Sequence, residues 1–194
     1  MTSEGIATRM RKILGVVGSP RKNGNTDILV SRILDGALDA GAAVKKVFLG
    51  DLSIRECDGC HACWKTERCA KDDDMQALYA KIIGSDLIIF GTPVYWYGPT
   101  ALMTGFIDRF VYFNCPATRA KIRGKGAFLA IPFEEDDPAT AAPLESVFRK
   151  SLAYLEMVLL GTILAPGVGG KGDILKKPDL LEEAYRLGRS LVGE

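Results

Sequence analysis

Cys57, Cys60, Cys63 and Cys69 fall within thirteen residues, in the run Cys57-Asp-Gly-Cys60-His-Ala-Cys63-Trp-Lys-Thr-Glu-Arg-Cys69. The first three are spaced so that one tight loop can aim their sulfurs inward, and the fourth returns after five intervening residues to close the site. Four thiolates serve a [4Fe–4S] cluster or a zinc ion. Zinc sites usually separate two C-x2-C hairpins by a longer stretch, which the compact triple disfavours. Metal-free readings stay open: four ordinary thiols, or a redox-active pair. His61 reads as a bystander facing solvent. Cys115, followed by Pro116, reads as a lone structural or surface thiol.

A second chemistry is written in Gly18-Ser19-Pro20-Arg21-Lys22-Asn23-Gly24-Asn25-Thr26. This stretch lies between an apolar run and an amphipathic one, where a parallel sheet presents backbone N–H groups and a helix dipole to an anion. It is neither G-x-x-x-x-G-K-[ST] nor G-x-G-x-x-G. Ser19, Asn23, Asn25 and Thr26 offer short polar side chains and Arg21 adds charge, which suits a terminal phosphomonoester. The bland alternative is a turn in which Asn25 caps the helix. A third segment, Pro93-Val94-Tyr95-Trp96-Tyr97-Gly98, puts three aromatics in a loop, good walls for a flat conjugated ring.

Alternating apolar and amphipathic stretches position these segments and signal βαβ units. Strands are expected at 12–18, 42–49, 87–91, 127–131 and 162–165, and helices at 25–40, 72–83, 99–113, 143–160 and 178–191. The fold class is α/β, a three-layer doubly wound sandwich with a five-stranded parallel sheet ordered 2-1-3-4-5. In that order the phosphate and aromatic loops face each other across one crevice. Residues 1–194 form one domain, with 1–11 a flexible tail and 57–69 the cysteine loop.

A formal net charge of +1 argues against nucleic-acid or membrane-surface binding. No apolar run approaches the ~18 residues of a membrane span, and Met1–Arg11 lacks the apolar core of a secretory signal. The chain reads as cytoplasmic, where clustered cysteines favour metal or redox chemistry over disulfides. Asp108 and Arg109 read as a structural helix-end ion pair, Glu134–Asp137 as a solvated loop before a docking patch or a lid, and Gly167–Gly172 as a flexible turn without a role.

Together Gly18-Ser19-Pro20-Arg21-x-x-Gly24-Asn25-Thr26, the cysteine run, Gly91-Thr92-Pro93-Val94-Tyr95 and Phe106-Ile107-Asp108-Arg109 resemble the NADPH-dependent FMN reductase-like branch of the flavodoxin-like superfamily, and within it the iron–sulfur flavoproteins. The resemblance implies bound FMN and assembly into homodimers or homotetramers. Its phosphate would be held by Ser19, Arg21, Asn23, Asn25 and Thr26, and its isoalloxazine lined by Pro93, Val94, Tyr95, Trp96, Tyr97 and Gly98. Cys57, Cys60, Cys63 and Cys69 would ligate a [4Fe–4S] cluster. The function expected is electron transfer between NAD(P)H or ferredoxin-type donors and an acceptor. Two alternatives stay open: an NAD(P)H-dependent FMN or quinone reductase without a cluster, and a non-catalytic electron carrier. No side chain is nominated as an acid, base or nucleophile.

Overall fold

The computed structural model describes residues 10–193. The expected tail therefore lies largely outside the described residues. Arg11 is already tied down, its carbonyl accepting the Ala43 N–H at 2.8 Å. Strands β1 (Lys12–Val17), β2 (Ala43–Phe48), β3 (Leu87–Gly91), β4 (Gly126–Pro132) and β5 (Val158–Ala165) form one parallel sheet in the order β2-β1-β3-β4-β5.

The pleat splits each strand between two cores. From β1, Ile13 and Val17 face the layer built by α1 (Asn25–Asp39) and, as the last helix, α7 (Pro178–Ser190). Leu14 and Val16 face the opposite core, shared by α3 (Met75–Ile83), α4 (Ala101–Asp108) and α6 (Ala142–Tyr154). Two short helices, α2 (Ala62–Thr66) and α5 (Pro116–Arg119), lie in connections. β3 and β4 are buried at every position, as strands covered on both faces must be. Phe90, Phe106 and Phe148 are fully buried, each worth ~1.5–3 kcal/mol of burial.

Two boundaries differ from expectation. The helix expected at 143–160 stops at Tyr154, and β5 begins at Val158. Leu155 closes the helix and Glu156 takes a left-handed φ of 60°. No glycine or proline marks that reversal, so Val158-Leu159-Leu160 reads as more of the helical stripe. Leu160 is then the extra residue of a bulge, since Ala127 pairs with Leu159 and Phe128 with Gly161. The helix expected at 99–113 instead tightens into a 3-10 segment at Arg109–Asn114.

Helix α1 carries the anion loop at its head, and α7 fixes where α1 lies. A Cβ on Gly188 would sit 1.9 Å from the Ile33 carbonyl oxygen, and one on Gly36 would sit 2.0 Å from that of Tyr185. The two backbones therefore touch. Gly188→Ala is expected to cost ~1–3 kcal/mol by overpacking, seen as a lower urea midpoint with an unchanged slope.

Candidate functional site

Strands β1 and β3 lie side by side, and the chain leaves both at the same edge of the sheet. Their exits are joined directly. Gly18 N–H donates to Gly91 O at 2.7 Å, and the Thr100 hydroxyl, which caps α4, donates to Gly18 O. A Cβ on Gly18 would meet Met103 Cβ at 2.8 Å, so the loop can begin there only as glycine.

Between the two exits lies a cavity of about 110 Å³. Of the residues nominated from sequence, Ser19, Arg21, Asn25, Thr26, Pro93, Val94 and Tyr95 line it. Asn23, Trp96, Tyr97 and Gly98 do not. Trp96 is 97% exposed because Tyr95 and Gly98 pair their backbones in a tight hairpin, which thrusts the two residues between them outward. Asn23, at φ 53°, donates its N–H to Asp27 Oδ2 at 2.9 Å and shapes the turn.

The expected Asn25 cap is not found. Gly24 stands at the cap position, and Asn25 is the first helical residue. Its carboxamide donates to Val168 O and Gly170 O, both at 2.8 Å, and accepts from Ile174 N at 3.2 Å. Arg21 Nη1 reaches Gly169 O at 3.1 Å. The 167–172 stretch, given no role from sequence, is thereby latched over the phosphate loop. Glu134 also lines the cavity. Its side chain packs against Gly169, where a Cβ would come within 2.8 Å of Glu134 Cγ. Local pattern marks Glu134 only as part of an acidic loop and Gly169 only as part of a turn, and sheet topology brings both to the cavity.

The donors left toward the cavity are hydroxyls, backbone and the remaining N–H groups of Arg21. Ser19 Oγ accepts from Arg21 N at 3.2 Å and keeps its proton for a ligand. Asp27 braces the loop from behind, bonded to Asn23 N and at 2.7 Å from Lys46 Nζ. Burial pushes the Asp27 carboxyl up, but the Lys46 and Asn23 hydrogen bonds and the Lys46 charge outweigh it and hold it below the usual carboxylate range.

At the second site Cys57, Cys60, Cys63 and Cys69 all line one closed space of about 20 Å³. Cys63 is buried on α2, Cys57 and Cys69 are half-buried, and Cys60 is exposed. Left-handed turns at Gly59, His61 and Glu67 curl the loop on itself. It is pinned from outside: Trp64 Nε1 donates to Val111 O at 2.9 Å, Tyr112 OH to Glu67 O at 3.1 Å, and Gln76 Nε2 to Cys69 O at 3.0 Å. His61 stays exposed and lies against Trp64, with ring centroids 4.1 Å apart.

Arg109 is corrected most. It is 1% exposed and pairs not with Asp108 but with Asp73, 2.5 Å from Oδ2 and 3.2 Å from Oδ1. It also donates to Arg55 O at 2.7 Å and to Cys69 Sγ at 3.2 Å. Burial raises the Cys63 thiol pKa, and the neighbouring thiols of Cys69, Cys57 and Cys60 add to that.

Geometry thus describes a flavodoxin-like α/β domain with a pocket at its topological switch point. The chain belongs to the NADPH-dependent FMN reductase family, which matches residues 11–165. It is 38% identical over 118 residues to an iron-sulfur flavoprotein of Archaeoglobus fulgidus, covering 58% of this chain and 52% of that one. It spans about half the length of the iron-sulfur flavoprotein relatives it matches. A Bacillus subtilis chain named as an NAD(P)H-dependent FMN-containing oxidoreductase is 26% identical over 180 residues, covering 91% of this chain and 96% of that one. In fold the chain is similar to the NAD(P)H:quinone oxidoreductase of Methanothermobacter marburgensis, with a TM-score of 0.74 at 16% identity, covering 94% of this chain and 99% of that one.

The residues present fit FMN: hydroxyl and backbone donors at the head of α1, and the apolar Pro93–Val94 wall opposite. The cysteine site fits a cluster in its donor set. Among the described residues, no three His, Cys, Asp or Glu side chains are gathered for a single ion, as a preformed tetrahedral zinc site with sulfurs at ~2.3 Å would require.

Asp27 sets an acid limit on the phosphate loop. Its folded pKa is depressed, so its stabilisation is present above the ordinary aspartate value of ~3.9 and fades as pH falls through the folded one. Wild type should lose more stability than Asp27→Asn as pH falls below about 5 and the folded carboxyl takes up its proton, read from urea midpoints at successive pH values.

Proposed function

We propose that this chain is an FMN-dependent oxidoreductase of the iron–sulfur flavoprotein kind. It would take electrons from NAD(P)H or a ferredoxin-type donor and pass them to an acceptor. The observation that carries this reading is the pocket in which Ser19, Arg21 and Thr26 face Pro93, Val94 and Tyr95 across the joined ends of β1 and β3.

Each part of the pocket has a task in this reading. Ser19 and Thr26 hydroxyls, with the backbone at the head of α1, bind a phosphomonoester dianion, helped by the helix dipole. Arg21 adds charge from the rim while holding the 167–172 segment at Gly169 O. Pro93 and Val94 exclude water from one side of the ring, and Tyr95 closes its edge. When bound, FMN supplies the interchange of two-electron and one-electron transfer, and the protein supplies position and environment.

Cys57, Cys60, Cys63 and Cys69 would hold a [4Fe–4S] cluster as four thiolates. The cysteine pocket and the phosphate pocket have no lining residue in common. Assembly into homodimers or homotetramers belongs to the same reading, and exposed Trp96 and Tyr97 are aromatic surface that a second copy would cover. No helix among the described residues is long and apolar enough to cross a membrane.

A cluster-free NAD(P)H-dependent FMN or quinone reductase is the second reading. It is favoured by the relative matched over nine-tenths of the chain and by thiols not gathered for an ion. Anaerobic purification with flavin, iron and sulfide quantification separates the two. The first expects FMN with iron and sulfide in equal amounts; the second expects FMN alone and NAD(P)H oxidation unchanged when all four cysteines become serine. Thr26→Val should weaken FMN binding about tenfold, the ~1.4 kcal/mol of one hydrogen bond to a charged group. Fluorescence titration with FMN measures this, and unchanged affinity would remove Thr26 from the phosphate site.

A further inference from the structure

We propose that Arg109 is a positioning residue for the cysteine site: its guanidinium fixes Cys69 through one arm while Asp73 and the Arg55 carbonyl hold the other. The assignment rests on the reading that the four cysteines carry a cluster.

The guanidinium is planar and its donors point in fixed directions. Nη1 is used twice, at 2.7 Å to Arg55 O and 2.5 Å to Asp73 Oδ2. Nη2 is shared between Asp73 Oδ1 and Cys69 Sγ, both at 3.2 Å. Asp73 is held in turn: its Oδ2 also accepts from Arg55 N at 3.0 Å, and its Oδ1 from Met75 N at 3.1 Å. Tyr79 OH donates to the Arg109 carbonyl at 3.1 Å and fixes the backbone that carries the side chain. The fork thus ties the segment before Cys57, the start of α3 and the last cysteine into one unit. Among the described residues Cys69 is the one thiol of the four with a guanidinium donor.

A lone structural ion pair would need only Asp73. Aiming the remaining N–H at a sulfur has a chemical consequence. A hydrogen bond from a cation to a ligating thiolate stabilises the more negative oxidation state of the group it holds, and so raises its reduction potential. The pair also keeps Arg109 from being an uncompensated buried cation when the thiols are neutral. Arg109 is therefore assigned two effects: retaining Cys69 as a ligand, and setting the potential.

Arg109→Lys keeps the charge beside Asp73 but has a single nitrogen, which cannot span Asp73, Arg55 O and Cys69 together. Arg109→Gln with Asp73→Asn removes both charges at once, so no charge is stranded. Both are compared with wild type, loaded with FMN and anaerobically reconstituted with iron and sulfide. The readouts are flavin content, iron content, the rate of iron loss to a chelator, and the cluster midpoint potential followed by electron paramagnetic resonance.

The expected result is unchanged flavin content, chelator loss about tenfold faster, and a lower midpoint. A tenfold change in the reduction equilibrium is about 59 mV for one electron. Should neither variant fold, wild type labelled with nitrogen-15 arginine decides the question: the reduced cluster should show a hyperfine coupling to an arginine nitrogen. Variants that match wild type in potential and chelator loss, or a labelled cluster without that coupling, overturn the assignment while leaving the cluster reading intact. Wild type that takes up FMN but no iron overturns the cluster reading, and this inference with it.

Discussion

One short hydrogen bond, from Gly18 N–H to Gly91 O, sets the span of the phosphate pocket. It extends the β1–β3 ladder one step past the strands and fixes the separation of the two loops that leave them. The Thr100 hydroxyl closes on Gly18 O from the same side, so the cap of α4 and the start of the phosphate loop share an atom. A wall and an anion cradle joined this closely move as one body. That tie is made by backbone and the Thr100 hydroxyl, not by the side chains that line the cavity.

The cysteine loop is built on the opposite plan. It borrows almost no ladder, and its anchors are side chains reaching in from elsewhere: Gln76 from α3, Arg109 from the end of α4, and Trp64 turned outward onto Val111 O. Most of its residues are exposed. A loop held by a few distant side chains can yield on its open side while its buried members, Cys63 above all, stay in place.

Much of the fold was legible because strands buried on both faces read as continuous apolar runs, and β1 and β3 show this plainly. The βαβ alternation gave the parallel doubly wound class, while the order β2-β1-β3-β4-β5 was what the family resemblance implied. The junction of α6 and β5 was not legible, because Glu156 reverses the chain without glycine or proline. Within the site, local chemistry pointed to Ser19, Thr26, Pro93 and Val94. It did not foresee that the Asn25 carboxamide is taken by a loop over 140 residues away in sequence, or that the hairpin turns Trp96 and Tyr97 outward. Arg109 was noticed as part of a motif but paired with its neighbour. Its true partner, Asp73, lies thirty-six residues earlier. The acidic run Asp72-Asp73-Asp74 directly after the cysteines was the signal, and only tertiary structure says which of the three faces inward.

Among the described residues, five of the six non-glycine residues with left-handed backbone, Asn23, His61, Glu67, Trp96 and Tyr97, sit in the phosphate, cysteine and aromatic loops. Each adopts a conformation that glycine would take at lower steric cost. Glycine would relieve the crowding but enlarge the set of shapes open to the loop. Comfort of the empty chain and memory of one shape therefore pull in opposite directions. The side chains at these bends act as conformational locks, narrowing what each loop can become before anything arrives to fill it.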